Sequence, residues 1–118
     1  MSNTRITGIG AALVDVLINE TDDFLTRLDK EKGGMTYVDN TEQQIILSKT
    51  DVQPVIVPGG AACNTIIGVG NLGGQARFIG KRGKDEFGTL FENQVTACGV
   101  EPRLELSDTP TGKVISVV

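Results

Sequence analysis

Glycine falls in clusters along this chain, at 8 to 10, 33 to 34, 59 to 60, 68 to 74 and 80 to 88, and those clusters set where regular structure can start and stop. The 15 glycines in 118 residues are nearly twice the average share of about 7%. Between the clusters the apolar residues change period. Arg5 to Ile18 reads as a buried strand, with Ile6 and Ile9 followed by Leu13, Val14, Val16, Leu17 and Ile18, broken by Asp15. Thr21-Asp22-Asp23 offers capping oxygens to a helix carrying Phe24, Leu25 and Leu28, with Gly33-Gly34 as its stop. Thr41 with Gln44 fits a capping box for a short helix through Leu47.

Val52 to Val57 is rich in β-branched residues but holds Pro54 and ends at Pro58, which predicts an edge strand. A small-residue helix follows from Ala61 to Leu72, closed by Gly73-Gly74, then a strand from Ala76 to Gly80 and a helix from Asp85 to Ala97. Arg103 to Leu106 and Lys113 to Val118 are further strand candidates around the turn Ser107-Asp108-Thr109-Pro110. Alternating strands and helices predict an α/β fold with a mainly parallel sheet covered on both faces. The last strand runs to Val117-Val118, and an apolar strand there leaves a pairing edge. The expectation is that residues 1–118 form part of a larger domain, with no internal boundary and any subdomain interleaved with the main sheet.

Composition narrows the function. At 39% hydrophobic and 22% charged the chain is globular, and its apolar runs are too short for a bilayer. The start lacks a secretory pattern, so a cytoplasmic location is expected, with no membrane partner. A net charge of −4 with no basic face speaks against nucleic acid. Cys63 and Cys98 stand far apart in a chain without histidine, which predicts buried free thiols and no metal site.

Pro58-Gly59-Gly60-Ala61-Ala62-Cys63-Asn64 joins the edge strand to a helix, and its paired glycines let backbone approach a ligand. Asn64, on the first helical turn, can donate to and accept from a hydroxyl, or can cap the helix and face solvent. Asp15 is a carboxylate in a buried strand, costly unless it is paired or binds something; the other reading is an exposed strand-end acid. The turn Gly80-Lys81-Arg82-Gly83-Lys84-Asp85-Glu86-Phe87-Gly88 lacks the Gly-Lys-Ser/Thr ending of a phosphate loop, and Asp85 suits a helix cap better. Gly8-Ile9-Gly10-Ala11-Ala12-Leu13 has Leu13 where a dinucleotide fingerprint needs a third glycine.

Taken in order, G-I-G-A-A-L-V-D-V-L, G-G-M-T-Y-V-D, P-G-G-A-A-C-N-T with N-L-G-G, I-G-K-R-G-K-D-E-F-G and P-T-G-K-V resemble the N-terminal part of the ribokinase-like (PfkB) carbohydrate and nucleoside kinases, in particular the adenosine-kinase-like branch. The resemblance implies the N-terminal part of a doubly wound, mainly parallel sheet. It also implies a small β lid, built from the segment before Pro58 and the strands near residues 102 to 118. It matches Asp15, Gly59, Gly60 and Asn64 to the substrate-binding residues, and Gly80, Gly83, Asp85 and Gly88 to a structural turn. The implied activity is transfer of the γ-phosphoryl of ATP, with Mg2+, to a hydroxymethyl group of a sugar or nucleoside. A non-catalytic sugar- or nucleoside-binding or regulatory domain is the other outcome. The family's Gly-Ala-Gly-Asp segment, which carries the catalytic base, does not occur in these residues. The expectation is therefore a substrate-binding half with no catalytic residue, inactive alone, binding neither ATP nor Mg2+ by itself, and completed by a C-terminal half. Relatives also imply a homodimer through the lid strands. Ala11 replaces an asparagine usual in the adenosine-kinase-like branch, Ile66 a small residue, and Arg82 an apolar one, which bear on substrate identity.

Overall fold

The structure, a computed structural model, describes residues 4–118. Its elements run β1 (Arg5–Ile9), β2 (Leu13–Ile18), α1 (Asp22–Arg27), α2 (Asn40–Ser48), β3 (Val55–Gly59), α3 (Ala61–Asn71), β4 (Gln75–Gly83), α4 (Glu86–Ala97), β5 (Val100–Ser107) and β6 (Gly112–Val117). The strands among the described residues make two sheets, β1-β4-β5 and β3-β2-β6. The first is parallel, with Ile6 opposite Ala76 and Ala76 opposite Val100. The chain divides into two compact units, one formed by the stretch up to Asp15 with Ile56–Val114, the other by Val16–Val55 with Ile115–Val118. The division falls inside β2, β3 and β6, so the two units interleave in sequence.

In the first unit the parallel sheet turns Ala76 and Phe78 toward its helices, where Phe78 meets Phe91 of α4 with ring centroids 5.7 Å apart. Such a tilted aromatic pair adds about 0.5–1.5 kcal/mol beyond its burial. On the same side α3 lies close against β1. A Cβ at Gly10 would sit 2.9 Å from that of Ala62, and one at Gly8 would run into Ile66. The opposite face, which neither α3 nor α4 covers, carries Glu101 with Arg77 at 2.8 Å, Arg103 at 2.9 Å and Arg5 at 3.8 Å. The Arg77 hydrogen bond, with that of Arg103, holds the Glu101 carboxyl below its usual range.

In the second unit α1 buries Phe24, with the Arg27 guanidinium over its ring, and Val16 and Ile18 of β2 are buried as well. α2 buries no side chain completely. The backbone of Val118 donates to Ile18 and accepts from Glu20.

Four local expectations change. Arg5 to Ile18 is two strands in different sheets, because the β1 ladder ends where Gly10 N donates to Ile79 O and the chain then leaves that sheet. α1 stops at Arg27, well before Gly33-Gly34: Asp29 takes φ 56°, Lys30 N donates to Leu25 O and Asp29 N to Thr26 O. That pair of bonds is a Schellman termination with aspartate at the left-handed position that glycine normally fills. α2 starts earlier than expected, capped by Asp39, whose carboxylate accepts from Glu42 N at 2.8 Å. The strand at Arg103 to Leu106 belongs to β5 beside β4 in the parallel sheet, since α4 is the crossover that returns the chain next to β4. Of the strands near 102 to 118, β6 alone joins β2 and β3.

The junction of β4 and α4 is fixed by one carboxylate. Asp85 caps α4 by accepting from Gly88 N at 2.8 Å, and it also accepts from the Thr111 hydroxyl at 2.6 Å and the Thr111 amide at 2.9 Å. The Thr111 hydroxyl accepts in turn from Gly83 N at 2.9 Å. Glycine is needed on both sides: a Cβ at Gly83 would lie 2.6 Å from Thr109 O, and one at Gly88 would lie 2.5 Å from Gly83 O. Gly80 has the same reason, with Gly10 O at 2.9 Å from its Cβ position.

Two predictions follow from these ends and caps. Asp29→Gly relieves the left-handed strain and removes a negative charge from a helix C-terminus, so it should raise stability by about 1 kcal/mol in urea unfolding; an unchanged or lower midpoint would refute the termination described. Burial works against ionising Asp85, but the bonds from Thr111 and Gly88 and the nearby Lys113 ammonium outweigh it and hold the carboxyl below its usual range. A lowered native pKa stabilises above the unfolded value of about 3.9, and that stabilisation is lost as pH falls through the native value. The stability difference between the native chain and Asp85→Asn should therefore be full near neutral pH and shrink as pH drops below about 4; a gap independent of pH would exclude an ionised cap.

Candidate functional site

Strand alternation places Asp15. Val14 and Val16 turn fully inward on β2, so Leu13, Asp15 and Leu17 share the other, half-buried side. β3 delivers Gly59 against that side. A Cβ at Gly59 would lie 2.6 Å from Asp15 Oδ2 and 2.7 Å from Oδ1, so the carboxylate lies directly on the glycine backbone. Any other residue would have to push it away. Gly60 follows with φ 91°, a conformation that costs glycine nothing, and it serves as the N-cap of α3 without a side-chain hydrogen bond.

The structure therefore brings Asp15, Gly59 and Gly60 together. Asn64 is tied to the same loop through its backbone, which donates to Gly60 O at 2.9 Å, and its side chain is exposed. Among the described residues neither the Asp15 carboxylate nor the Asn64 amide side chain has a hydrogen-bond or ion-pair partner. Cys63, between them in sequence, is a core residue: burial, with Cys98 nearby, pushes its thiol up to about 11. Both cysteines are free, as expected.

Two further neighbours flank the loop, Ala11, already singled out for the asparagine it replaces, and Leu13, which escaped the sequence reading. The Ala11 carbonyl oxygen is 3.2 Å from the Cβ position of Gly60, and a Leu13 methyl is 3.9 Å from it. Leu13 is two residues before Asp15, and the period of two was the signal that could have placed it beside the glycine loop.

The cations of the 80–88 turn do not converge. Arg82 donates to Gly83 O and lies 3.9 Å from Glu92, while Lys84 reaches Asp108 at 3.0 Å. A groove of about 790 Å³ runs along α4, lined by Arg82, Lys84, Leu90, Asn93, Gln94 and Leu106 among others, and reaches neither Asp15 nor Asn64. It is wide open, its Asp85 is already saturated, and the glycine-lined carboxylate is the better-built site. No group of three or more His, Cys, Asp or Glu side chains among the described residues is placed to hold a metal ion. No helix there is long and apolar enough to cross a membrane.

Known proteins resemble this chain in sequence and fold. Over 56 residues the chain is 38% identical to a fructokinase of Escherichia coli, a match covering 48% of this chain and 18% of that protein. The adenosine kinase of Sinorhizobium meliloti superposes with a TM-score of 0.76 at 31% identity, over 94% of this chain and 34% of that one. A fructokinase of Xylella fastidiosa, solved with bound ATP, gives a TM-score of 0.63 at 25% identity, over 94% of this chain and 28% of that one. The chain thus spans about a third or less of the length of these relatives. The pfkB family carbohydrate kinase profile matches residues 33–118, which leaves Asp15 outside the matched segment and takes in the glycine loop and both junctions of α4. The parallel α/β sheet, the glycine loop and that match agree: this chain belongs to the pfkB family of carbohydrate kinases.

Proposed function

We propose that these residues are the acceptor-binding portion of an ATP-dependent sugar or nucleoside kinase. The observation that carries this reading is the Asp15 carboxylate lying on Gly59 with its hydrogen-bonding capacity unused among the described residues. A carboxylate so placed accepts from two neighbouring hydroxyls, and a glycine backbone lets a ring approach where a side chain would block it. Asn64 would add one donor and one acceptor at the start of α3. The relatives named above phosphorylate fructose or adenosine by their descriptions, so the acceptor class is a hydroxylated sugar or a nucleoside with a hydroxymethyl group.

ATP belongs to the same proposal, supported by the related fructokinase solved with that nucleotide. In a phosphoryl transfer the metal and nucleotide supply the charge neutralisation and the leaving group, while this chain's residues bind and orient the acceptor hydroxyl. Binding of ATP and Mg2+ is proposed for the remainder of the protein, since this chain spans about a third or less of these relatives. The 118 residues would then bind acceptor without transferring phosphoryl. The second sheet, with β3 and β6 at its edges, is proposed as the lid, and those edges as the surface of a homodimer.

Calorimetric titration of the chain with D-fructose and with adenosine tests the acceptor site. One of the two should bind, and Asp15→Asn should weaken it by about 10- to 100-fold, the worth of hydrogen bonds to a charged acceptor. Binding that ignores the substitution, or no binding of either compound, would remove the acceptor reading. Phosphorylation of the bound compound by the 118 residues with Mg·ATP would overturn the assignment of catalysis elsewhere.

A further inference from the structure

We infer that Thr111 and Gly112 are positioning residues for the acceptor site, linking the β4–α4 turn to the glycine loop through Leu13. The inference rests on the acceptor reading above.

Thr111 is the one buried polar side chain found among the described residues, 2% exposed, and three hydrogen bonds fix it. Its amide and hydroxyl both donate to the Asp85 carboxylate, and its hydroxyl accepts from Gly83 N. Thr111 therefore cannot shift without losing its two bonds to the residue that caps α4. The next residue is Gly112, at the start of β6, and a Cβ there would run into the Leu13 Cδ2 methyl. Its other methyl lies 3.9 Å from the position a Gly60 Cβ would take, so the end of Leu13 stands between Gly112 and the bare backbone of Gly60, on a half-buried side of β2.

The physical consequence is directional. Gly112 shows no left-handed φ, so a side chain there costs no backbone strain, and its effect is steric alone. One added methyl pushes Leu13 toward Gly60, into the space beside Asp15 where an acceptor ring would lie. The bare Gly112 sets how far the apolar wall stands from the carboxylate. The turn residues Asp85 and Gly83, which touch no acceptor, act on the site through Thr111.

A double-mutant cycle on the 118-residue chain, read by calorimetry with D-fructose and adenosine, tests this. Gly112→Ala should weaken the compound that binds by about tenfold with little change in thermal midpoint, and Leu13→Ala by about threefold. The double variant should bind no worse than Leu13→Ala, because the methyl at 112 then has nothing to push. Multiplying effects, or a lower midpoint with unchanged affinity, would overturn the inference. If Gly112→Ala does not fold, Thr111→Ser, which keeps the hydroxyl, should bind as the native chain does and Thr111→Val should bind more weakly; equal binding by both would overturn it. Should the native chain bind neither compound, or Asp15→Asn bind undiminished, the acceptor reading itself falls and takes this inference with it. Loss with Asp15→Asn but additive effects at Leu13 and Gly112 removes the inference alone.

Discussion

Much of the first unit is organised around the Asp85 carboxylate. It closes the first turn of α4, holds the strand that leads into β6 through Thr111, and by way of the same hydroxyl fixes the end of β4 at Gly83. The first turn of α4 and the segment before β6 meet on its two oxygens, and Gly83 joins them through the Thr111 hydroxyl. Each hydrogen bond of this kind contributes about 1 kcal/mol net, more where the acceptor is charged, but removing the carboxylate would strand several donors at once. The glycines at 83 and 88 are the steric condition for that meeting, since a side chain at either would sit where backbone or Thr111 already is.

The glycine loop obeys the same logic with a different outcome. At the turn, close approach is used up by internal hydrogen bonds. At Gly59, close approach brings a carboxylate against backbone without a partner among the described residues. A saturated carboxylate holds the fold, and an unsaturated one is available to a ligand. That contrast between Asp85 and Asp15 distinguishes the cluster that holds the turn from the candidate site more clearly than residue type, because both are aspartates beside glycines.

Much of this was legible in the sequence because it depended on short-range chemistry. Thr21 and Asp85 cap where capping preferences put them, Gly60 and Gly73 take positive φ at the ends of α3, and Pro54 and Pro58 mark an edge strand. The parallel sheet followed from alternating periods. What escaped depended on partners far away in the chain. The break between β1 and β2 is invisible as a loss of hydrophobicity, since Ala11 and Ala12 are as small and apolar as their surroundings; the strands part because they pair in different sheets. Asp29 ends α1 in a conformation that glycine was expected to supply later, and Asp39 caps α2 ahead of the equally plausible Thr41. Of the candidate site, Gly59, Gly60 and Asp15 stood out as a glycine pair and a carboxylate in a buried strand and Asn64 as an amide on the first turn of α3, whereas the place of Leu13 between Gly60 and Gly112 had no signature beyond its register with Asp15.

The uncovered face of the parallel sheet gives the molecule an uneven distribution of charge. Its overall balance is −4, yet on that face three guanidinium groups surround the single carboxylate of Glu101, which the arginines keep ionised. Within the first unit that face is therefore locally cationic around Glu101. At 0.1 M salt the field of such an exposed cluster reaches only about 10 Å. Ionic strength, more than pH above the carboxylate range, sets how strongly this face acts on charged neighbours.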